Sequence, residues 1–146
     1  MPRKKKPSKN SYLSYVILPE SWSYDYGFGV DKSKDAKTPY FEHSKIRVRG
    51  KLASPNLRSI QFAEIDFRMG SGFFTTPEES PQAVGYLSLE DNTLNAATFS
   101  PTDLSPSLIP LLQNKLILSI TLEGKELKHR KDIIRSFWIS TELEED

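Results

Sequence analysis

Lys45-Ile46-Arg47-Val48-Arg49-Gly50-Lys51-Leu52 alternates between charged side chains and apolar or small ones without a break. Successive side chains of an extended chain point to opposite sides. This period of two therefore describes a strand with Ile46, Val48, Gly50 and Leu52 against a core and Lys45, Arg47, Arg49 and Lys51 toward water. A helix would scatter the same residues around its circumference.

The same reading extends outward in both directions. Tyr12–Leu18 is aromatic and β-branched, bounded by Pro19, and reads as a first strand. Trp22, Tyr24, Tyr26 and Phe28 alternate with Ser23, Asp25 and Gly27, so an extended segment carries four rings on one face. Asp31 to Pro39 is a polar loop. Ser54-Pro55-Asn56 turns the chain into a strand over Ser59–Arg68, whose apolar phase slips from Ile60 and Phe62 to Ile65 and Phe67, as a β-bulge requires. Gly70-Ser71-Gly72 and Pro77–Pro81 mark loops.

Ala83–Leu89 and Thr93–Phe99 form a hairpin across Glu90-Asp91-Asn92, residues suited to a tight turn. One short helix follows, capped by Ser107, with Pro110 inside its first turn and its end near Gln113 and Asn114. Leu116–Glu123 alternates with Leu116, Leu118, Ile120 and Leu122 inward, and Gly124-Lys125 turns. Lys131–Thr141 is the last strand, with Ile133, Arg135, Phe137 and Ile139 opposing Ile134, Ser136, Trp138 and Ser140. Seven or eight strands with short connections describe an all-β, mainly antiparallel fold, a sandwich or partly open barrel with one short helix.

The 146 residues suit a single domain. Its expected limits are a flexible basic arm over 1–11, one β-rich domain over 12–142 and an acidic tail over 143–146. The formal charge of +1 hides an asymmetry, because Arg3, Lys4, Lys5, Lys6 and Lys9 lead the chain and Glu142, Glu144, Glu145 and Asp146 end it. Without them, the totals of 20 cations and 19 anions leave a neutral body. The arm contains no apolar residue after Met1, so burial cannot offset the entropy of ordering it.

Several chemistries are excluded or unsupported. With no cysteine there is no disulfide, thiolate metal site or cysteine nucleophile. No phosphate-binding loop, dinucleotide fingerprint or nucleophile elbow occurs, and Gly27-Phe28-Gly29 and Gly70-Ser71-Gly72 are only fragments of such motifs. His43 and His129 are the only histidines, and each has charged neighbours but no ligand spacing around it. No catalytic residue, metal or cofactor is expected. The densest apolar stretch, Leu108 to Leu112, is interrupted by Pro110 and falls far short of the ~20 residues of a membrane span. A basic start with no apolar stretch after it, together with the lack of cysteine, points to the cytoplasm.

Three surfaces can carry function. The rings of Trp22, Tyr24, Tyr26 and Phe28, with Tyr40 and Phe41 nearby, suit a protein interface, where large side chains with polar tips are favoured. The plain alternative is that they are core. Lys45, Arg47, Arg49 and Lys51 set four cations on one strand face over about 20 Å, which with Arg3, Lys4, Lys5 and Lys6 could track a phosphate backbone. Lys128, His129, Arg130 and Lys131 would add to it. The plain alternative is an ordinary solvated face. Glu64 and Asp66, on one side of a strand, could act as an acid–base pair in a hydrolase, or could simply pair with cations on a neighbouring strand. The expected function is a non-catalytic protein–protein interaction or assembly module, with another protein or a second copy as partner and no membrane. A nucleic-acid-associated domain and a carboxylate-dependent hydrolase are the alternatives.

Overall fold

The computed structural model describes residues 12–33, 39–57, 59–70, 83–101, 104–127 and 131–142. The expected basic arm, the acidic tail and the Lys128–Arg130 cluster lie outside them. Seven strands and one helix follow in the order β1 (Tyr12–Val30), β2 (Tyr40–Ser54), β3 (Phe62–Gly70), β4 (Gly85–Glu90), β5 (Thr93–Ser100), α1 (Leu104–Gln113), β6 (Ser119–Lys125) and β7 (Lys131–Ser140). They form a single sheet ordered β1-β2-β3-β5-β4-β7-β6, and β6 pairs back onto β1 to close the ring. All neighbours are antiparallel except β3 and β5, which run parallel. This is the expected all-β architecture with one short helix. It makes an irregular barrel, because a long β1–β2 ribbon runs past its end.

Alternation places the core. Ile46 and Val48 of β2, Ala63, Ile65, Phe67 and Met69 of β3, Leu94 and Ala96 of β5, and Ile120 and Leu122 of β6 all turn inward and are buried. Leu108 and Leu112, one helical turn apart on α1, press into the same cluster. Phe67 meets Phe137 edge to face at 5.3 Å, closing the core between β3 and β7. The β4–β5 turn takes left-handed conformations at both Asp91 (φ 47°) and Asn92 (φ 64°), the two-residue geometry that matches strand twist.

Several local expectations change. Pro19 does not end the first strand; β1 runs through it to Val30. Pairing with β6 stops at Ile17, so the missing Pro19 amide falls where β1 has no second neighbouring strand among the described residues. Glu20 is an extra residue between the Pro19↔Gly50 and Ser21↔Arg49 pairs. This bulge switches the inward phase of β1 from odd residues (Tyr15, Ile17) to even ones (Trp22 onward). Gly50 is required there, because a Cβ on it would lie 2.0 Å from the Leu18 carbonyl oxygen.

The bulge expected in the Ser59–Arg68 strand is absent. Leu57 and Ile60 bridge across a tight turn with Ser59 at φ 58°, and β3 then starts at Phe62 in uninterrupted register with β2. The helix begins at Leu104, three residues before Ser107, which puts Pro106 in the first turn and Pro110 in the interior. Its end is capped by Asn114, whose amide and side-chain Nδ2 both donate to the Pro110 carbonyl, at 3.1 and 2.8 Å. Lys115 at φ 52° then reverses the chain, with its amide on Leu112 O and the Leu116 amide on Leu111 O.

This reversal leaves Leu116 and Leu118 exposed ahead of β6 rather than inward, while Ile117 is buried. Gly124-Lys125 stays within β6 instead of turning. In β7, Arg135 is the extra residue between the Gly124↔Ile134 and Glu123↔Ser136 pairs. The expected two-face split therefore fails: Ile134 and then Phe137 and Ile139 point inward, and Trp138 is exposed.

Candidate functional site: an aromatic ribbon beyond the barrel

Among the described residues, β1 from Trp22 onward pairs only with β2, and β2 pairs with β3 only from His43. The segments Gly27–Val30 and Tyr40–Glu42 thus form a two-stranded extension whose other edges carry no strand among the described residues. Directly paired residues share a face, so Trp22, Tyr24, Tyr26, Phe28 and Val30 stand beside Val48, Ile46, Ser44, Glu42 and Tyr40. That is the inward face of the barrel continued past its end. Ile46 and Val48 are fully buried at the barrel end, whereas Tyr26, Phe28 and Val30 are 56%, 62% and 60% exposed.

The exposed rings are ordered by contacts within the ribbon. Phe28 and Tyr40 stack at 5.6 Å with planes 16° apart. The Tyr26 hydroxyl donates to Glu42 Oε2 at 2.8 Å, and that bond holds the phenol above its ordinary pKa. On the opposite face Phe41 lies over Gly27 and Gly29, and a Cβ on Gly29 would sit 2.7 Å from its ring. Absent side chains at the two glycines make a bed for that ring. At the tip, Asp31 Oδ1 accepts the Ser33 amide at 2.9 Å and its hydroxyl at 2.7 Å, which lowers the carboxyl pKa. The Asp31 amide donates to Pro39 O at 2.8 Å, keeping the two strands in register there.

All four rings expected to share a face do so. Trp22 is the exception in burial, half-buried against the core, and Tyr40 joins the face while Phe41 takes the other. Sequence reading missed Val30 as a member and missed that the β1 edge carries no second strand among the described residues. It also missed a shallow cleft of about 480 Å³ beside that edge, where Trp22 and Pro19 meet Leu111, Leu112 and Ile117 at the C-terminal end of α1.

The basic strand face is occupied by carboxylates. Arg47 donates from Nε to Asp66 Oδ1 at 2.8 Å and from Nη2 to Oδ2 at 3.2 Å, and Glu64 lies 3.1 Å from the same Nε. Arg49 Nε bonds Glu64 Oε2 at 2.7 Å, and Lys45 is 3.9 Å from Asp25. The bond to Asp66 and its charge raise the Arg47 pKa further. Register explains the match, since Arg47↔Asp66 and Arg49↔Glu64 are cross-strand partners. Arg3, Lys4, Lys5 and Lys6 lie outside the described residues; Lys51 is exposed.

Glu64 and Asp66 also line an open cleft of about 450 Å³ on the outer face of β3, β4 and β5, with Tyr86, Asn95, Phe99 and Lys131. Lys131 is 5.0 Å from the centre of the Tyr86 ring. Among the described residues no three His, Cys, Asp or Glu side chains converge to hold a metal ion. No described helix is long and apolar enough to cross a membrane. No known family model matches the chain, and no curated protein or solved structure shows significant similarity to it.

Proposed function

We propose that the chain is a non-catalytic protein-interaction or assembly module whose docking element is the β1–β2 ribbon. The observation that carries this reading is the run of Tyr24, Tyr26, Phe28 and Val30 on one face of β1, all exposed beyond the last core contact at Trp22, with exposed Tyr40 of β2 beside them. Exposed apolar surface costs solubility and adds nothing to folding, so a contiguous patch of this kind marks a contact surface. Tyrosine suits the role because its ring supplies area at low entropic cost and its hydroxyl tolerates water before binding.

The other two surfaces support weaker readings. Cations already bonded to carboxylates have less charge to offer a phosphate backbone, and carboxylates held by arginines are poorly placed to exchange protons with a substrate.

The test is photo-crosslinking in the cell of origin, with Phe28 replaced by a benzophenone amino acid and the same group at Glu90, on a distant polar turn, as control. The expected result is a discrete adduct from position 28 and none from position 90. Equal or absent labelling at the two positions overturns the reading.

A further inference from the structure

We infer that the ribbon's partner is a second copy of this chain, joined about Tyr26 by antiparallel pairing of the two β1 edges that carry no strand among the described residues; this rests on the ribbon being a docking element. The direction of the backbone carries the first step. Asp31 N–H points to Pro39 O, in the same register as Val30↔Tyr40. In an antiparallel pair, positions facing the neighbour alternate with positions facing away. Residues 29, 27, 25, 23 and 21 therefore spend their backbone groups on β2, and Trp22, Tyr24, Tyr26, Phe28 and Val30 turn theirs to the open edge.

That edge lacks the features that usually keep strands apart. Pro19 and the Glu20 bulge protect the part of β1 just beyond β6. From Ser21 to Val30 there is no proline and no lysine, and Asp25 is the only charge. One strand is thus blunted where it leaves the barrel and, among the described residues, open along the next ten.

Charge and length then select a register. Outward groups on even residues allow self-pairing only of even positions with even ones. Centred on Tyr26, the whole of Trp22–Val30 overlaps, with Tyr24 opposite Phe28 of the partner copy, Trp22 opposite its Val30, and Asp25 opposite its Gly27. A register centred on Asp25 sets two carboxylates face to face at a closely spaced position, which is unfavourable. One centred on Gly27 leaves Trp22 without a partner. In the Tyr26 register both aromatic faces merge into one. An interface of a single strand pair falls below the ~1,600 Å² of a standard stable complex, so the dimer is weak and forms with concentration.

The chain has no cysteine, so an introduced one is a unique reporter. Across the two-fold axis the Tyr26 Cα atoms lie ~5.5 Å apart, within disulfide range. Tyr26→Cys should form a covalent dimer under mild oxidation. Tyr24→Cys and Phe28→Cys alone place their thiols ~13 Å apart along the strand and should cross-link at least about tenfold more slowly, yet a mixture of the two should cross-link readily. Equal rates for all three single variants overturn the register and the proposal.

Sedimentation supplies the second measurement. The wild-type mass should rise toward twice the monomer with concentration, and Tyr26→Pro, which removes one outward amide without touching the β1–β2 ladder, should stay monomeric where Tyr26→Thr still associates. A wild-type chain that remains monomeric throughout overturns self-pairing. If position 28 still labels another protein in that case, the interaction reading survives without it; if it labels nothing, both fall.

Discussion

From Tyr12 to Ile17 β1 pairs with β6, with β2 joining on its other side at Val16 and Ile17, and its inward Tyr15 and Ile17 are sealed; from Trp22 to Val30 β2 is its only partner among the described residues, and the same inward face carries Tyr26 and Phe28 into solvent. Composition does not separate the halves, since both are aromatic and apolar. Neighbours do. The pleat sets which way a side chain points, and the presence of a second strand and of a facing wall sets whether that direction is dry. Apolar residues on the first half stabilise the fold, and on the second they are available to something else.

The sharpest way to break this contrast is to truncate a ring in each region. Phe67→Ala opens the core beneath Phe137 and should cost about 3–5 kcal/mol in denaturant unfolding. Phe28→Ala should stay within about 0.5 kcal/mol, because the ring is mostly exposed already. Comparable losses would mean that the ribbon is part of the folding unit.

Glycines sharpen the same contrast at the backbone. A methyl group at Gly50 meets the Leu18 carbonyl at 2.0 Å, where β1 bulges, so Gly50→Ala should cost about 1–3 kcal/mol or more. Gly27→Ala, 3.9 Å from the movable Phe41 ring, should be close to neutral by thermal unfolding. A tolerated Gly50→Ala would show that the bulge does not need this close approach.

Smaller effects are expected on the charged outer face. Asp66 is largely buried and holds Arg47 through two bonds, with Glu64 in reserve at 3.1 Å, so Asp66→Asn should cost about 1 kcal/mol. Arg49 is mostly exposed, and Arg49→Ala should cost under about 0.5 kcal/mol. The reverse order in chemical denaturation would place the anchor of the network at Glu64.

A further effect is on pH dependence. Burial raises the Tyr15 pKa above its usual value of 10.0, and its hydroxyl donates to Lys125 O at 3.2 Å. A raised folded pKa means that the folded state holds its proton more tightly. The resulting stability is complete below pH 10.0 and declines as pH rises toward the folded pKa. Tyr15→Phe should lose that alkaline slope, at a neutral-pH cost of about 0.5–1.5 kcal/mol from the missing hydrogen bond. An unchanged slope above pH 10 would show that another group carries it.

Much of the barrel was legible from period-two patterning. Lys45–Leu52 and the shared face of Trp22, Tyr24, Tyr26 and Phe28 follow directly from it, and the hairpin across Glu90-Asp91-Asn92 follows from its turn residues, with the turn itself narrowed to Asp91-Asn92. What failed were the interruptions. Pro19, Ile60, Gly124 and Arg135 each break a local pattern, and a pattern cannot tell a bulge inside a strand from the end of one. The helix was misplaced because proline and serine signals overlap over Leu104–Gln113, whereas its start is set by where Leu108 and Leu112 must reach the core.

Sequence alone determined the class of fold, the phase of an unbroken strand such as Lys45–Leu52 and the absence of thiol chemistry, because alternation and composition are properties of single segments. Only the tertiary structure decided which neighbours each strand has. Strand order and chain length past the last partner are relations between distant segments, and no local pattern encodes them. Those relations set Glu64 and Asp66 against Arg49 and Arg47, and left the β1 edge beyond Pro19 open among the described residues.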